Sequence, residues 1–428
     1  MQKEEFDFDG HMRSQKDLRL YKHLDFSGAI QRFTLDPGVA TQLEDRYLST
    51  RPQLLADEAL MSKVRCLTLT GDPEADAYAA LSPVYGVNEL QLMLMRACEL
   101  GINEVKGAPN ELKNLIAQME KIPEWFDARE IEMGVELERQ YVTSFGPMLI
   151  RAAIMASYLN AFVAMPFVVD TPPTAKRAER RAAYVSSFFA ATMLPGALER
   201  GGIGFKLAAQ TRLQHALLRS KFLSAGSEWD YGVFGVPIPL IDQIAIGLFP
   251  IFSISRGLTE RGYIEFSSSQ KAVLNVERFR CHLMGVPKEA MPDSPTEITR
   301  LMLARNATLR RTVEHEVTRA LIASTLSANL VPKETMAANL FQKTERIFSK
   351  WIFCKMIVLG DVQRANRLGV HLTTFETVIS YIVGFFCLMK KWLTSFADKI
   401  PTARQYFRER RVMRLRSHIE ESGTNILD

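Results

Sequence analysis

Apolar residues recur at intervals of three and four along most of this chain. Asp57 to Arg65, Asn88 to Leu100, Glu111 to Lys121, Ala128 to Arg139 and Met148 to Met165 all carry that spacing. It puts the apolar side chains on one stripe of a helix. No run alternates apolar and polar residues long enough to make a half-buried strand between turns. The pattern predicts a mainly α protein. Glycine and proline punctuate it at Gly86, Gly107 to Pro109, Pro172-Pro173, Pro195-Gly196, Gly201 to Gly204 and Gly235 to Pro237, where helices are expected to end. Nothing divides the middle of the chain by composition. Residues 25–370 are therefore expected to form a single large helical domain. A polar arm over residues 1–24 is expected to be disordered, and residues 371–428 to form a separate helical tail.

Three stretches are apolar enough to test against a bilayer. Met148 to Val169 contains Arg151, and Val233 to Ile254 contains Asp242 and three prolines. Both are expected in the core. Ile379 to Met389 falls short of the roughly 18 residues a span needs. It is followed by Lys390, Lys391 and Trp392, and then by Arg404, Arg408, Arg410, Arg411, Arg414 and Arg416 interleaved with Tyr406, Phe407 and Met413. A basic, partly apolar tail of this kind suits either a helix docked on the body or a peripheral contact with an anionic membrane.

Composition adds limits. The 428 residues are 47% hydrophobic and 24% charged with a net charge of +5, ordinary for a globular chain and no footprint of a nucleic-acid binder. Five cysteines with no CxxC pair argue against a disulfide framework or a cysteine zinc site. The polar N-terminus has no apolar core of a secretory signal. A reducing, cytoplasmic setting is expected, with membrane association through the tail as a variant of it. There is no GxSxG, HExxH or P-loop, and no Glu-x-x-His pair for a di-iron bundle.

One segment carries positive chemistry. In Thr211-Arg-Leu-Gln-His215-Ala-Leu-Leu-Arg219 the histidine and Arg219 lie one helical turn apart, in apolar surroundings. An imidazole in an apolar wall is what a haem iron takes as its protein ligand. Arg219, or Arg212 three residues before the histidine, has the guanidinium to pair with a propionate. A histidine on a helix beside a surface arginine is equally the pattern of an ordinary core.

The wider run RAAYVSSFFAATMLPGALERGGIGFKLAAQTRLQHALLR, from Arg181 to Arg219, resembles the core motif of the rubber oxygenases, the latex clearing protein/MpaB-type haem family. Weaker likenesses occur in order along the chain: Gly71-Asp-Pro-Glu-Ala-Asp76, Tyr231 to Asp242, Gly257 to Gly262, Leu283-Met-Gly-Val-Pro287 and Leu368-Gly369. Together they cover about residues 70 to 370. The resemblance implies a helical fold around haem b, with His215 as the iron ligand and Arg219 and Arg212 at the propionates. It implies Arg181 and Tyr184 near the distal side, and dioxygen with a small unsaturated apolar, isoprenoid- or lipid-like compound as substrates, cleaved at a carbon-carbon double bond. Val185 stands where the family has threonine, and Tyr184 where latex clearing proteins have lysine. These departures bear on substrate cleavage more than on fold. A haem carrier or sensor without catalysis, and a cofactor-free membrane-surface protein, are the competing expectations.

Overall fold

The computed structural model describes residues 8–169, 172–224, 226–312, 315–330 and 335–421. About 70% of the described residues are helical. Among the described residues the only β pairing is two isolated bridges, Phe33 with Leu309 and Thr41 with Arg310. The expected helical windows appear as helices Glu58–Leu69, Val87–Leu100, Asn110–Glu120 and Ala128–Ala156. One window is broken. After Ala156 the path turns by 109° into Ala161–Phe167. The turn comes where Asn160 leaves helical geometry and its side chain accepts from the Phe162 N–H, starting the next helix.

Two compact units replace the single domain expected over 25–370. The first comprises residues up to Gly134 with Leu198–Arg311, and the second Val135–Ala197 with the chain from Thr312 onward. Each has its own core. In the first, Val64, Leu67, Leu240, Ile244, Leu274 and Ile298 pack together. Leu240–Gly247 and Phe249–Thr259 meet at a 73° bend; Leu240, Ile241, Ile244, Leu248 and Ile251 of this apolar stretch join the core, while Ile246, Phe249 and Ile254 are exposed. In the second, Met155, Tyr158, Ile322, Phe353, Val358 and Leu368 form the centre.

Arg151 explains itself in the second core. It is fully buried and makes a paired contact with Glu345 at 2.8–3.1 Å, while Nη1 donates to the carbonyls of Leu326 (3.2 Å) and Ala328 (3.1 Å). A buried guanidinium is tolerated when a carboxylate and carbonyl oxygens take its protons.

The N-terminal arm is a correction. Residues 1–7 lie outside the described residues, but Phe8–Asp17 is a helix. Gln15 is buried, donates to the Leu69 carbonyl at 2.8 Å and accepts from the Gly71 N–H at 2.7 Å. Polar composition signalled disorder. Here the polar groups serve as internal hydrogen-bond partners.

Candidate functional site

The first unit is organised around two helices. Ile203–Phe222 is buried on most of its circumference, through Phe205, Leu207, Ala208, Leu213, Ala216 and Phe222. A helix apolar on every side belongs in a core, yet this one also buries Arg212 and Arg219. Their partners come from Pro73–Ala79. Asp72 caps that helix by accepting from Ala75, Pro73 fills its first position, and Asp76 lies in its first turn, an arrangement suited to a helix start.

Arg212 meets Asp72 through two parallel bonds, Nε to Oδ2 at 2.7 Å and Nη2 to Oδ1 at 2.8 Å, and its Nη1 donates to Gln118. Arg219 donates from Nε to Asp76 Oδ1 at 2.7 Å and from Nη1 to the Ile238 carbonyl at 3.4 Å. The Tyr21 hydroxyl donates to the other oxygen of Asp76. Tyr21, Asp72, Asp76, Arg212 and Arg219 are essentially sealed from solvent.

Two glycines let the cluster close. A Cβ on Gly71 would stand 2.8 Å from Arg219 Nε and 2.7 Å from the Tyr21 oxygen. One on Gly285, whose φ is +86°, would stand 2.5 Å from Asp72 Oδ2 and 2.9 Å from Arg212 Nη2. Only a residue without a Cβ admits that approach. Pieces of sequence that looked like separate echoes, Gly71 to Asp76, Leu283 to Pro287, and Arg212 to Arg219, thus meet at one place.

Electrostatics follow from burial and pairing. Burial is the largest influence on Asp72 and opposes its ionisation, but Arg212, Arg219 and the Ala75 N–H together outweigh it and hold the carboxyl below its usual range. At Asp76 burial prevails over the pull of Arg219, and the carboxyl is pushed up to about 6. Burial opposes the charge on Arg219 too, but Asp76, Tyr21 and Asp72 together raise its pKa above the ordinary value. His282, packed on Phe279 with ring centroids 5.9 Å apart, is lowered to about 4 by burial first and Arg212 second.

His215 sits between the two arginines in sequence and is half-buried. Arg212 and Arg219 are occupied by carboxylates rather than left facing outward for propionates. Arg219 keeps one sealed nitrogen, Nη2, without an acceptor. Arg181 and Tyr184 lie on Ala175–Thr192, in the second unit. Tyr184 is half-buried. The Arg181 guanidinium stands 3.2 Å from the ring centroid of Phe167 and 4.9 Å from that of Tyr158. Its Nη1 is sealed and has no hydrogen-bond partner, and burial lowers its pKa.

Sequence reasoning missed Asp72, Asp76, Tyr21 and Gln118. The signal was present. Two carboxylates one turn apart at an Asp-Pro helix start, and two arginines seven residues apart on an apolar helix, are charges that burial obliges to pair.

No protein-family model and no curated protein matches the chain. A solved structure of latex clearing protein in its closed state does, with a TM-score of 0.52 at 16% sequence identity, over 83% of this chain and 91% of that one. The chain folds like latex clearing protein. At that identity the likeness is one of fold. Among the described residues no group of three or more His, Cys, Asp or Glu side chains could hold a bare metal ion. A haem asks for less, since its ring nitrogens supply the other ligands. One half-buried imidazole on a braced helix fits that donor set. The arginine cluster fits it only in part, with a single free nitrogen on Arg219.

Proposed function

We propose that this chain is a haem b-dependent oxygenase acting on an unsaturated apolar compound, with His215 as the iron ligand. The observation that carries the proposal is the bracing of His215. Its helix is locked by a buried carboxylate–guanidinium pair on either side, in a chain that folds like latex clearing protein. A ligand held in one orientation is what a cofactor site requires. Bound there, a haem would supply dioxygen chemistry.

The chain's own residues supply position. Arg212–Asp72 and Arg219–Asp76 fix the rotation of the helix and hence the direction of the imidazole. Arg219 Nη2 can donate to one propionate oxygen. Arg181, with a sealed unpartnered nitrogen, is a donor for an anionic or carbonyl oxygen. The distal role of Tyr184 rests on the family resemblance alone, since Tyr184 belongs to the second unit and His215 to the first. The neighbour's name makes latex its substrate, and an isoprenoid-like substrate for this chain rests on that likeness. A second reading, a haem carrier without catalysis, is favoured by Tyr184 and Val185 at the family's lysine and threonine positions.

The absorption spectrum of the purified protein, with iron measured alongside, is the first test. A Soret band that His215→Ala removes while helicity stays constant supports the proposal. A colourless, iron-free protein sinks it. Dioxygen uptake on adding squalene separates the oxygenase from the carrier.

A further inference from the structure

The Thr374–Ala397 helix is built inside out. A capping box between Thr373 and Glu376 starts it, and it runs antiparallel to Met336–Ile352. Lys350 pairs with Glu376, the Trp351 and Tyr381 rings lie 5.6 Å apart, and the Phe348 ring approaches Gly384. The inward face therefore carries Glu376, Ser380 and Gly384, the small and polar members of the helix. The outward face carries Phe375, Ile382, Phe385, Phe386, Trp392 and Phe396, between 51% and 73% exposed. In water the two faces would be exchanged. A contiguous apolar surface of this kind marks contact with something other than water.

The helix is long and apolar enough to cross a membrane, with only 6% of its most apolar window buried. Yet one side is fixed along a neighbouring helix by an ion pair. That neighbour, Met336–Ile352, carries Lys343, Glu345, Arg346 and Lys350, charges that are costly inside a bilayer, which favours a pair lying along a surface. The next helix, Pro401–Glu421, supplies charge, with six arginines against three glutamates. Buried Arg411 ties it to Asp398 and to Glu136, the latter at 2.6 Å. Arg404, Arg408, Arg410, Arg414 and Arg416 stay exposed.

We propose that the outward face of Thr374–Ala397 docks in the plane of an anionic membrane, with the exposed arginines of Pro401–Glu421 holding lipid headgroups. An amphipathic helix with aromatic residues on one side and neighbouring cations is suited to the boundary between headgroups and acyl chains. A second copy of the chain would bring the same excess of arginine. An anionic lipid brings the missing charge.

The test is flotation of the full-length protein with phosphatidylcholine vesicles, with and without phosphatidylserine. Strong co-flotation with the anionic vesicles is expected, weakened by salt as surface charge is screened. Phe385→Ser/Phe386→Ser/Trp392→Ser should reduce binding at least about tenfold, since each ring leaves water on docking, with far-UV circular dichroism unchanged. Arg414→Ser/Arg416→Ser should lower binding to anionic vesicles by about thirtyfold, at roughly 1 kcal/mol for each of the two cations, and leave binding to neutral vesicles alone. Wild-type protein that stays below both kinds of vesicle overturns the proposal, as does a triple aromatic variant that floats like wild type. If the non-floating wild type is a dimer in lipid-free buffer and the triple variant a monomer, a second copy covers this face instead.

Discussion

Two long helices treat their side chains in opposite ways. Ile203–Phe222 turns two arginines inward, where Asp72 and Asp76 meet them. Thr374–Ala397 turns its aromatic residues outward, where no described residue covers them. Both invert the ordinary rule, and each inversion needs a partner. The first has its partner inside the molecule and is complete. The second does not. An inverted pattern satisfied internally points to architecture, and one left open points to the surroundings.

The contrast can be broken from either side. The largest effect is expected at Arg212. Arg212→Leu leaves Asp72 buried without its cation and should cost about 3–5 kcal/mol, read from denaturant midpoints. Asp72→Asn in the same chain should recover part of that loss. If Arg212→Leu alone is neutral, the pair does not hold the helix.

Gly71→Ala comes next. Its methyl would enter the space of Arg219 Nε and the Tyr21 hydroxyl, both pinned by Asp76. Overpacking of this kind should cost about 1–3 kcal/mol. An unchanged midpoint would mean that the cluster yields easily.

Acidity gives a subtler test, because two groups oppose each other. Asp76, at about 6 in the folded chain against about 3.9 unfolded, contributes stability that is present below the unfolded value and is lost as pH rises through about 6. His282, at about 4 folded against about 6.5 unfolded, contributes stability present above the unfolded value and lost as pH falls through about 4. Between pH 4 and 6 the slopes offset. Asp76→Asn should expose a stability that climbs with pH, and His282→Asn one that falls. Each slope is at most about 1.4 kcal/mol per pH unit, the equivalent of one proton. Parallel curves for the two variants would refute the opposition.

The smallest effect is expected on the outward helix. Phe385→Ser should change unfolding free energy in lipid-free buffer by no more than about 0.5 kcal/mol. A loss of several kcal/mol there would mean that Phe385 is packed in solution and that the two helices are less different than they look.

Much of this was legible in the sequence. The helical windows appear nearly in place because a three-and-four spacing reports burial of one face directly. Arg151 and Asp242 are both buried against opposite charges, Glu345 for the first and Arg32 with Arg305 for the second, but around Asp242 only part of the apolar stretch is core, since Ile246, Phe249 and Ile254 are exposed. The limits have physical causes as well. The Met148 to Met165 spacing continues through Asn160, so only the asparagine's capping bond betrays the bend. The tail's helix is longer than its apolar stretch because Glu376 and Thr377 upstream and Lys390 and Lys391 downstream interrupt the apolar run without ending the helix. The roles of Arg212 and Arg219 depended on residues about 140 positions away, beyond the reach of local periodicity.

That distance has a consequence for how the protein is made. Asp72 precedes Arg212 by 140 residues, and Asp76 precedes Arg219 by 143. At about 5–20 residues per second on the ribosome, the two carboxylates emerge several seconds before any guanidinium is there to meet them. The two carboxylates must wait without their cations until the chain returns. A nascent chain stalled ahead of Arg212 is the species for a chaperone to recognise, and slowing synthesis between Asp76 and Arg212 should lengthen its exposure.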